Sequence, residues 1–150
     1  MTNNSYKLLA AVIIAGLIAY SYVVSRDHLP KMTVGGKEIY VELAVDPDVR
    51  GRGLMFRTRL EEDHGMLFVF PVEDRHAFWM KDTEIPLSIA FIKNGVVTQL
   101  EDMEPHSLER HASTEEVKYA LEMNRGWFKR NDVHVGGLVI IPPITRTGAD

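Results

Sequence analysis

The sequence contains no cysteine, which excludes disulfide bonds, thiolate metal ligands and a cysteine nucleophile. It also lacks an excess of positive charge, because 17 Lys and Arg residues stand against 21 Asp and Glu residues and the formal net charge is −4. Proteins that bind nucleic acid normally carry a strong basic excess, so the composition argues against that class of partner. The hydrophobic content of 45% is typical of a folded protein rather than a disordered one.

One long apolar run lies near the start of the chain. Residues 8–24 carry no charged side chain, and Arg26 and Asp27 end the run. A helix of this length spans about 25 Å, close to the lower limit for crossing a bilayer. The run predicts an uncleaved signal anchor over residues 1–26, with a cleaved signal peptide and a buried core helix as the alternatives.

The orientation of the chain in the membrane is predicted from a weaker feature. The charges that flank the apolar run are similar, so the positive-inside rule barely distinguishes the two orientations. Because the N-terminal tail is short, we expect the N-terminus inside and the rest of the chain outside. The sequence thus predicts a single-pass protein of the cell membrane with its domain on the extracytoplasmic side.

Alternating apolar residues and turn signals predict a mainly β domain. Apolar and polar side chains alternate from Lys37 to Ala44, and the continuous run Met66 to Phe70 is typical of a strand covered on both faces. The Asn94-Gly95 pair is a strong hairpin signal. The sequence indicates an antiparallel jelly-roll-like sandwich or barrel with one or two short helices, preceded by an N-terminal transmembrane helix. The predicted units are the anchor at 1–26, a linker at 27–31, one β domain at 32–143 and a flexible tail at 144–150.

The predicted core follows from the same patterns. Residues 117–123 have a helix-forming composition, yet their apolar side chains alternate with period two, and we interpret them as a strand. The side chains expected to be nearly fully buried are Leu67, Val69, Ile89, Phe91 and Leu121.

Three motifs carry a family resemblance: G-R-G-L-M-F-R at 51–57, G-M-L-F-V-F at 65–70 and F-W-M-K-D-T-E-I-P-L at 78–87. In this order they resemble the prokaryotic family called domain of unknown function 192, over about residues 32–141. The resemblance implies a compact, mostly β, jelly-roll-like domain, often behind a signal or anchor, and implies no activity. The chain departs from the family pattern at Asp82, which is usually Asn, and at Ser88 and Lys93, which are usually acidic.

The first candidate site is aromatic and polar. Trp79 lies beside Lys81, Asp82 and Thr83, and a Trp next to short polar groups can stack on a sugar or aromatic ring. The alternative is a core aromatic followed by a turn in which Lys81 pairs with Asp82. Period-two alternation places Trp79 and Lys81 on the face opposite Phe78, so we expect the Trp79 ring to be partly accessible near Gly51–Gly53.

The second candidate is a group of arginines near two glycines. Guanidinium groups match carboxylates and phosphates, and glycine lets an anion approach the backbone. The alternative is a set of surface salt bridges with Glu61, Glu62 and Asp63, each of which stabilises a fold only slightly. The candidate anion ligands are Arg50, Arg52 and Arg57, with Arg59 nearby.

Metal and acid–base chemistry give weaker signals. Thioether and imidazole groups suit copper, but no pair of these residues has the tight spacing of a metal site, so we expect no metal or other cofactor. An enzyme acting on the cell envelope would need an acid–base carboxylate, for which Asp82 and Asp63 are the candidates. The soft ligands considered are Met55, Met66, Met80, Met103, Met123, His64, His76, His106 and His111.

The sequence therefore favours a membrane-anchored, non-enzymatic extracytoplasmic module that binds a ligand, a glycan or a protein partner of the cell envelope. A small envelope-acting enzyme and a copper-binding protein are the alternatives.

Overall fold

The computed structural model describes residues 29–144 together with Lys7, Val12 and Ile13. The predicted anchor, apart from these three residues, and the tail beyond Ile144 lie outside the described residues. Within the described ranges, no helix is both long and apolar enough to cross a bilayer. The anchor and the side of the membrane therefore stay predictions.

The described chain is mainly β, as predicted. Nine strands and two short helices form over residues 29–144. In chain order they are β1 (Lys31–Val34), β2 (Lys37–Ala44), α1 (Pro47–Arg52), β3 (His64–Asp74), β4 (Ala77–Phe78), β5 (Leu87–Lys93), β6 (Val96–Met103), β7 (His111–Ala112), β8 (Val117–Asn124), α2 (Trp127–Arg130) and β9 (Val139–Ile140).

Seven strands make one curled sheet in the order β6-β5-β8-β3-β2-β1-β9, and β4 pairs with β7 in a separate ribbon. The two edges of the large sheet meet at one end, where Val97 N–H donates to Gly137 O at 3.0 Å and Val139 N–H donates to Gly95 O at 2.8 Å. Of the predicted jelly-roll-like sandwich or barrel, the fold is closer to the barrel: it is a half-barrel made from one curled sheet. The physical reason is that the central strands are apolar on both faces, so they form one sheet covered on each side.

One strand pair also corrects the all-antiparallel prediction. β2 and β3 run parallel, with Val41 beside Gly65 and Leu43 beside Leu67. A parallel pair needs a crossover of about a dozen residues or more, and residues 45–63, which include α1, supply it. This crossover carries α1 and the following loop over one face of the sheet.

The sheet separates two hydrophobic clusters. Inside the half-barrel, Leu67, Val69 and Leu121 pack with Trp127 and Phe128 of α2. The outer face of the sheet buries a second cluster, which includes Ile89 and Phe91 of β5. Leu54 of the α1 crossover and Met80 of the segment that follows β4 cover it. All five predicted core residues are confirmed, since none is more than 7% exposed.

Candidate functional site

A cleft of about 260 Å³ opens on the outer face of the sheet. It lies between the C-terminal part of α1, with the residues that follow it, and the segment that contains Trp79. β3 contributes two aromatic side chains, and β8 contributes one carboxyl group. The lining residues are Arg50, Gly51, Arg52, Gly53, Leu54, Met55, Phe68, Phe70, His76, Ala77, Phe78, Trp79, Thr83 and Glu122.

Glu122 is the carboxyl group of the cleft. In the ladders its register partners are Met66 on β3 and Ile89 on β5, so two apolar side chains flank it on the same face. The residue is only 4% exposed, and its carboxyl group has no hydrogen-bond partner among the described residues. Burial alone raises the pKa of Glu122 to about 8. The side chain is therefore mainly a neutral acid at pH 7.

His76 is a second titratable group of the lining. The His76 imidazole stacks on the Phe70 ring with 3.4 Å between centroids, and the Arg50 guanidinium carbon lies 5.5 Å from the centroid of the same ring. Burial lowers the pKa of His76; the negative charge of Asp74 opposes this effect, and the positive charge of Arg50 adds to it. His76 Nε2 is buried without a hydrogen-bond partner in the described chain. At pH 7 this imidazole is mainly neutral.

Two of the four arginines in the predicted group line the cleft, and the other two do not. Arg50 donates to the carbonyl oxygens of Val45 and Val69, and it lines the cleft. Arg52 lines the cleft as well; it is exposed, and its side chain has no ion-pair or hydrogen-bond partner among residues 29–144. Two cations therefore face the cleft.

The other two arginines form salt bridges. Arg57 makes a two-pronged ion pair with Glu42, with 2.6 Å between Nη2 and Oε2, and hydrogen bonding to Glu42 raises the pKa of Arg57. Arg59 pairs with Glu61 at 3.0 Å, as the surface alternative predicts. Arg57 is not part of the cleft lining. For these two residues the sequence-predicted anion role has no support in the geometry.

Two of the four residues in the aromatic and polar candidate site line the cleft. Trp79 is 44% exposed and lines the cleft near Gly51 and Gly53, which confirms the predicted position of its ring. Thr83 lines the cleft as well, but it is 3% exposed and its hydroxyl donates to the carbonyl oxygen of Lys81 at 3.0 Å. Trp79 therefore supplies an open ring surface, and Thr83 fixes the turn beneath it.

Lys81 and Asp82 are not part of the cleft lining, although Trp79 and Thr83 are. The Lys81 ammonium lies 5.5 Å from the Trp79 ring centroid, and no ion pair joins it to Asp82. Asp82 adopts a left-handed backbone with φ of +51°, a region in which Asp and Asn are the favoured side-chain-bearing residues. The Asn-to-Asp departure noted at this position is thus explained by backbone conformation.

The remaining sequence candidates have structural roles. Asp63 accepts a hydrogen bond from Trp127 Nε1 at 3.0 Å, and it does not line the cleft. Ser88 is buried, donates to Asp102 and accepts the Gly126 N–H at 2.9 Å. Neither residue carries an acid–base group into the cleft.

The candidate copper ligands are scattered. Four of the five methionines are 2% exposed or less and fill the two hydrophobic clusters. Of the nine candidate ligands, only Met55 and His76 line the cleft. The described residues contain no cluster of three or more His, Asp or Glu side chains placed to hold a metal ion.

Sequence reasoning missed Glu122 as a site residue. Period-two alternation places it on the same face as Lys118 and Asn124, which indicates a solvent-facing side chain. The available signal was a single carboxyl group between Leu121 and Met123, in a strand long enough to lie at the centre of a sheet.

The chain is similar to known proteins in both sequence and fold. The model of the family called domain of unknown function 192, described as "Uncharacterized ACR", matches residues 30–141. A crystal structure from Sinorhizobium meliloti 1021, described as a "putative transcription regulator", is 38% identical with a TM-score of 0.71; the match covers 74% of this chain and 92% of that one. A protein of unknown function from Novosphingobium aromaticivorans DSM 12444 is 30% identical with a TM-score of 0.71, covering 74% and 84% of the two chains. No curated protein matches this chain.

Proposed function

Because this chain belongs to the uncharacterised family called domain of unknown function 192, we propose a function from the geometry of its own cleft: a non-enzymatic module that binds a small ring-bearing ligand with an anionic group. The observation that carries the proposal is Glu122, a nearly buried carboxyl group that opens into a cleft and has no partner in the described chain. Burying a polar group without a hydrogen bond is costly, and a ligand that hydrogen-bonds to it would offset that cost.

The charges in the cleft favour an anion. Arg50 and Arg52 are cationic, whereas Glu122 and His76 are mainly neutral at pH 7. Burial is the cause of the raised pKa of Glu122. A ligand that fits this arrangement presents an anionic group to the arginines and a hydroxyl or carbonyl oxygen to the acid.

The walls favour a ring between these two polar ends. Phe68, Phe78 and the open face of Trp79 supply aromatic surface, and rings stack or pack edge-on against such surfaces. The volume of about 260 Å³ lies near the lower end of small-molecule pockets, so it suits a single ring with its substituents.

We place this module where the apolar run at 8–24 predicts, tethered to the cell membrane and facing the envelope. The support for the tether is the sequence alone. Envelope glycans are one source of ring-bearing anionic groups, and a protein partner of the envelope is the other class that the sequence leaves open.

Affinity for a monocyclic carboxylate is expected to fall about threefold to tenfold as the pH rises through 8. Above this pH Glu122 loses its donor proton and adds a negative charge to the cleft. His76, whose pKa is lowered, titrates below this range. Isothermal titration calorimetry between pH 6 and 9 measures the effect. Glu122→Gln is the matched variant, and its affinity should change little with pH. If the affinity of the variant falls with pH as steeply as that of the natural chain, the assignment to Glu122 is contradicted.

Trp79→Ala is expected to lower the same affinity at least tenfold while shifting the thermal midpoint only slightly. The Trp79 ring is 44% exposed and belongs to neither buried cluster, so its removal leaves the core packing intact. Titration of the variant and its thermal unfolding are measured side by side. A large drop in the midpoint with normal binding rejects the site and makes Trp79 part of the scaffold.

A second candidate function is acid catalysis, and the raised pKa of Glu122 is the observation that favours it. A carboxylic acid that is protonated at neutral pH can donate a proton to a leaving group. The two-carboxylate mechanism of most glycoside hydrolases lacks its second member here, since Glu122 is the one carboxyl group that lines the cleft in the described chain. Following each bound ligand by NMR over hours tests this: turnover that Glu122→Gln abolishes would favour the enzyme.

A further inference from the structure

A second exposed aromatic side chain belongs to the loop that is hydrogen-bonded to the turn after Trp79. Phe56 follows Met55, which lines the cleft, and its ring is 74% exposed. The Phe56 N–H donates to the Asp82 carbonyl oxygen at 2.8 Å, so the loop after α1 is tied to the turn that follows Trp79. We call Phe56 and Trp79 the aromatic rim.

Phe56 adopts a backbone conformation that its side chain disfavours. Its φ is +64°, a left-handed region in which a bulky residue is a genuine outlier. Its neighbours hold the loop in place: Leu54 is buried in the outer cluster, and Arg57 is paired with Glu42. The fold thus maintains a strained residue whose ring gains no burial, a combination that often marks a functional position.

The charges of the rim are mixed. Lys81 lies over the Trp79 ring, and the Arg52 side chain has no partner within the described chain. On the same turn, however, Asp82 and Glu84 are exposed carboxylates. The cleft therefore favours an anionic group, whereas the rim offers no net attraction for a second one.

We propose that the ligand is an oligosaccharide with an acidic terminal residue, which enters the cleft against Trp79 while the next neutral sugar ring stacks on Phe56 of the aromatic rim. The inference rests on the proposed function. The cleft accommodates a single ring, Trp79 lines it, and the exposed Phe56 directly follows the lining residue Met55. Sugar rings present flat apolar faces with hydroxyl groups at their edges, which matches open aromatic rings flanked by polar side chains.

The test compares glucuronic acid with di- and trisaccharides in which a terminal glucuronic acid is followed by neutral hexoses. Titration of the full chain should show an affinity about threefold to tenfold higher for the longer saccharides than for glucuronic acid, because a neutral sugar stacks on Phe56. Phe56→Ala should remove this gain and leave the affinity for glucuronic acid unchanged, because Phe56 does not line the cleft. Ile140→Ala, which truncates a 66% exposed side chain on β9, is the matched control and should retain the gain.

The outcomes separate the two proposals. If glucuronic acid binds and the added sugars contribute nothing, the oligosaccharide inference is overturned and the proposed function stands. A gain with chain length that survives in Phe56→Ala also overturns the role of the rim. If no monocyclic acid binds at all, the proposed function itself fails. Unfolding of Phe56→Ala with urea supplies the folding check, and we expect the variant to be no less stable than the natural chain.

Discussion

Glu122→Gln is expected to raise the free energy of unfolding by about 3 kcal/mol at pH 7. The pKa of Glu122 is about 8 in the folded protein and 4.5 in the unfolded chain. Between these values the unfolded chain releases its proton while the folded protein keeps it, so each pH unit lowers the stability by about 1.4 kcal/mol. Gln has nearly the same shape and no proton to release, and it therefore lacks this loss.

The sign of the pH dependence makes the prediction specific. Because the folded pKa is raised, the contribution of Glu122 to stability is fully present below pH 4.5 and is lost as the pH rises through 8. The difference between variant and natural chain should thus be small near pH 4, grow through neutrality and level off above pH 8. Denaturant unfolding at four pH values between 4 and 9 measures it.

Glu116→Gln is the matched control for this series. Glu116 is exposed just before β8 and has no partner in the described chain, so its substitution should leave the stability nearly unchanged at every pH. If Glu122→Gln stabilises the protein equally at pH 4 and pH 9, the interpretation of Glu122 as a buried acid without a partner is contradicted. The same substitution is expected to remove the pH dependence of ligand affinity, so it separates stability from binding in one variant.

Leu67→Ala is expected to lower the free energy of unfolding by about 2–5 kcal/mol. Leu67 is fully buried at the centre of the sheet, with Leu43 of β2 on one side and Leu121 of β8 on the other. Its truncation removes apolar contacts and leaves a cavity that the paired strands on both sides cannot close.

Leu108→Ala is the matched control, because the same atoms are removed from a loop side chain that is 65% exposed. We expect a change within about 0.5 kcal/mol for this variant. Urea unfolding of both variants gives the comparison. A loss of less than about 1 kcal/mol for Leu67→Ala would show that the half-barrel interior can collapse around a vacancy at this position.

Several features of the fold could be predicted from local pattern. Alternation identified β8 as a strand although its composition favours a helix, because its pairing with β3 and β5 outweighs helix propensity. The continuous apolar run at 66–70 predicted a strand covered on both faces, and the buried core residues followed from it. The partly accessible position of Trp79 near Gly51–Gly53 was predicted in the same way.

The local sequence pattern could not predict which candidate site residues line the cleft and which form salt bridges elsewhere. Arg50 and Arg52 face the cleft, whereas Arg57, only five residues further along, pairs with Glu42 on β2. Which arginine meets a carboxylate depends on the path of the crossover over the sheet. That path is set by the parallel β2–β3 pair, and a parallel pair leaves no short-range signal of the hairpin kind.

The sequence by itself determined which segments form strands, which side chains share a face and which long run is apolar enough to predict an anchor. Only the tertiary structure decided that the face of Glu122 is covered. A period of two sorts side chains into two sets, but it carries no information on which set meets water. The register of β8 against β3 and β5 puts Glu122 between Met66 and Ile89, and the segments that follow α1 and β4 pass over them. This packing removes water from the carboxyl group and raises its pKa, so a residue that looks solvent-facing in the sequence becomes the centre of the candidate site.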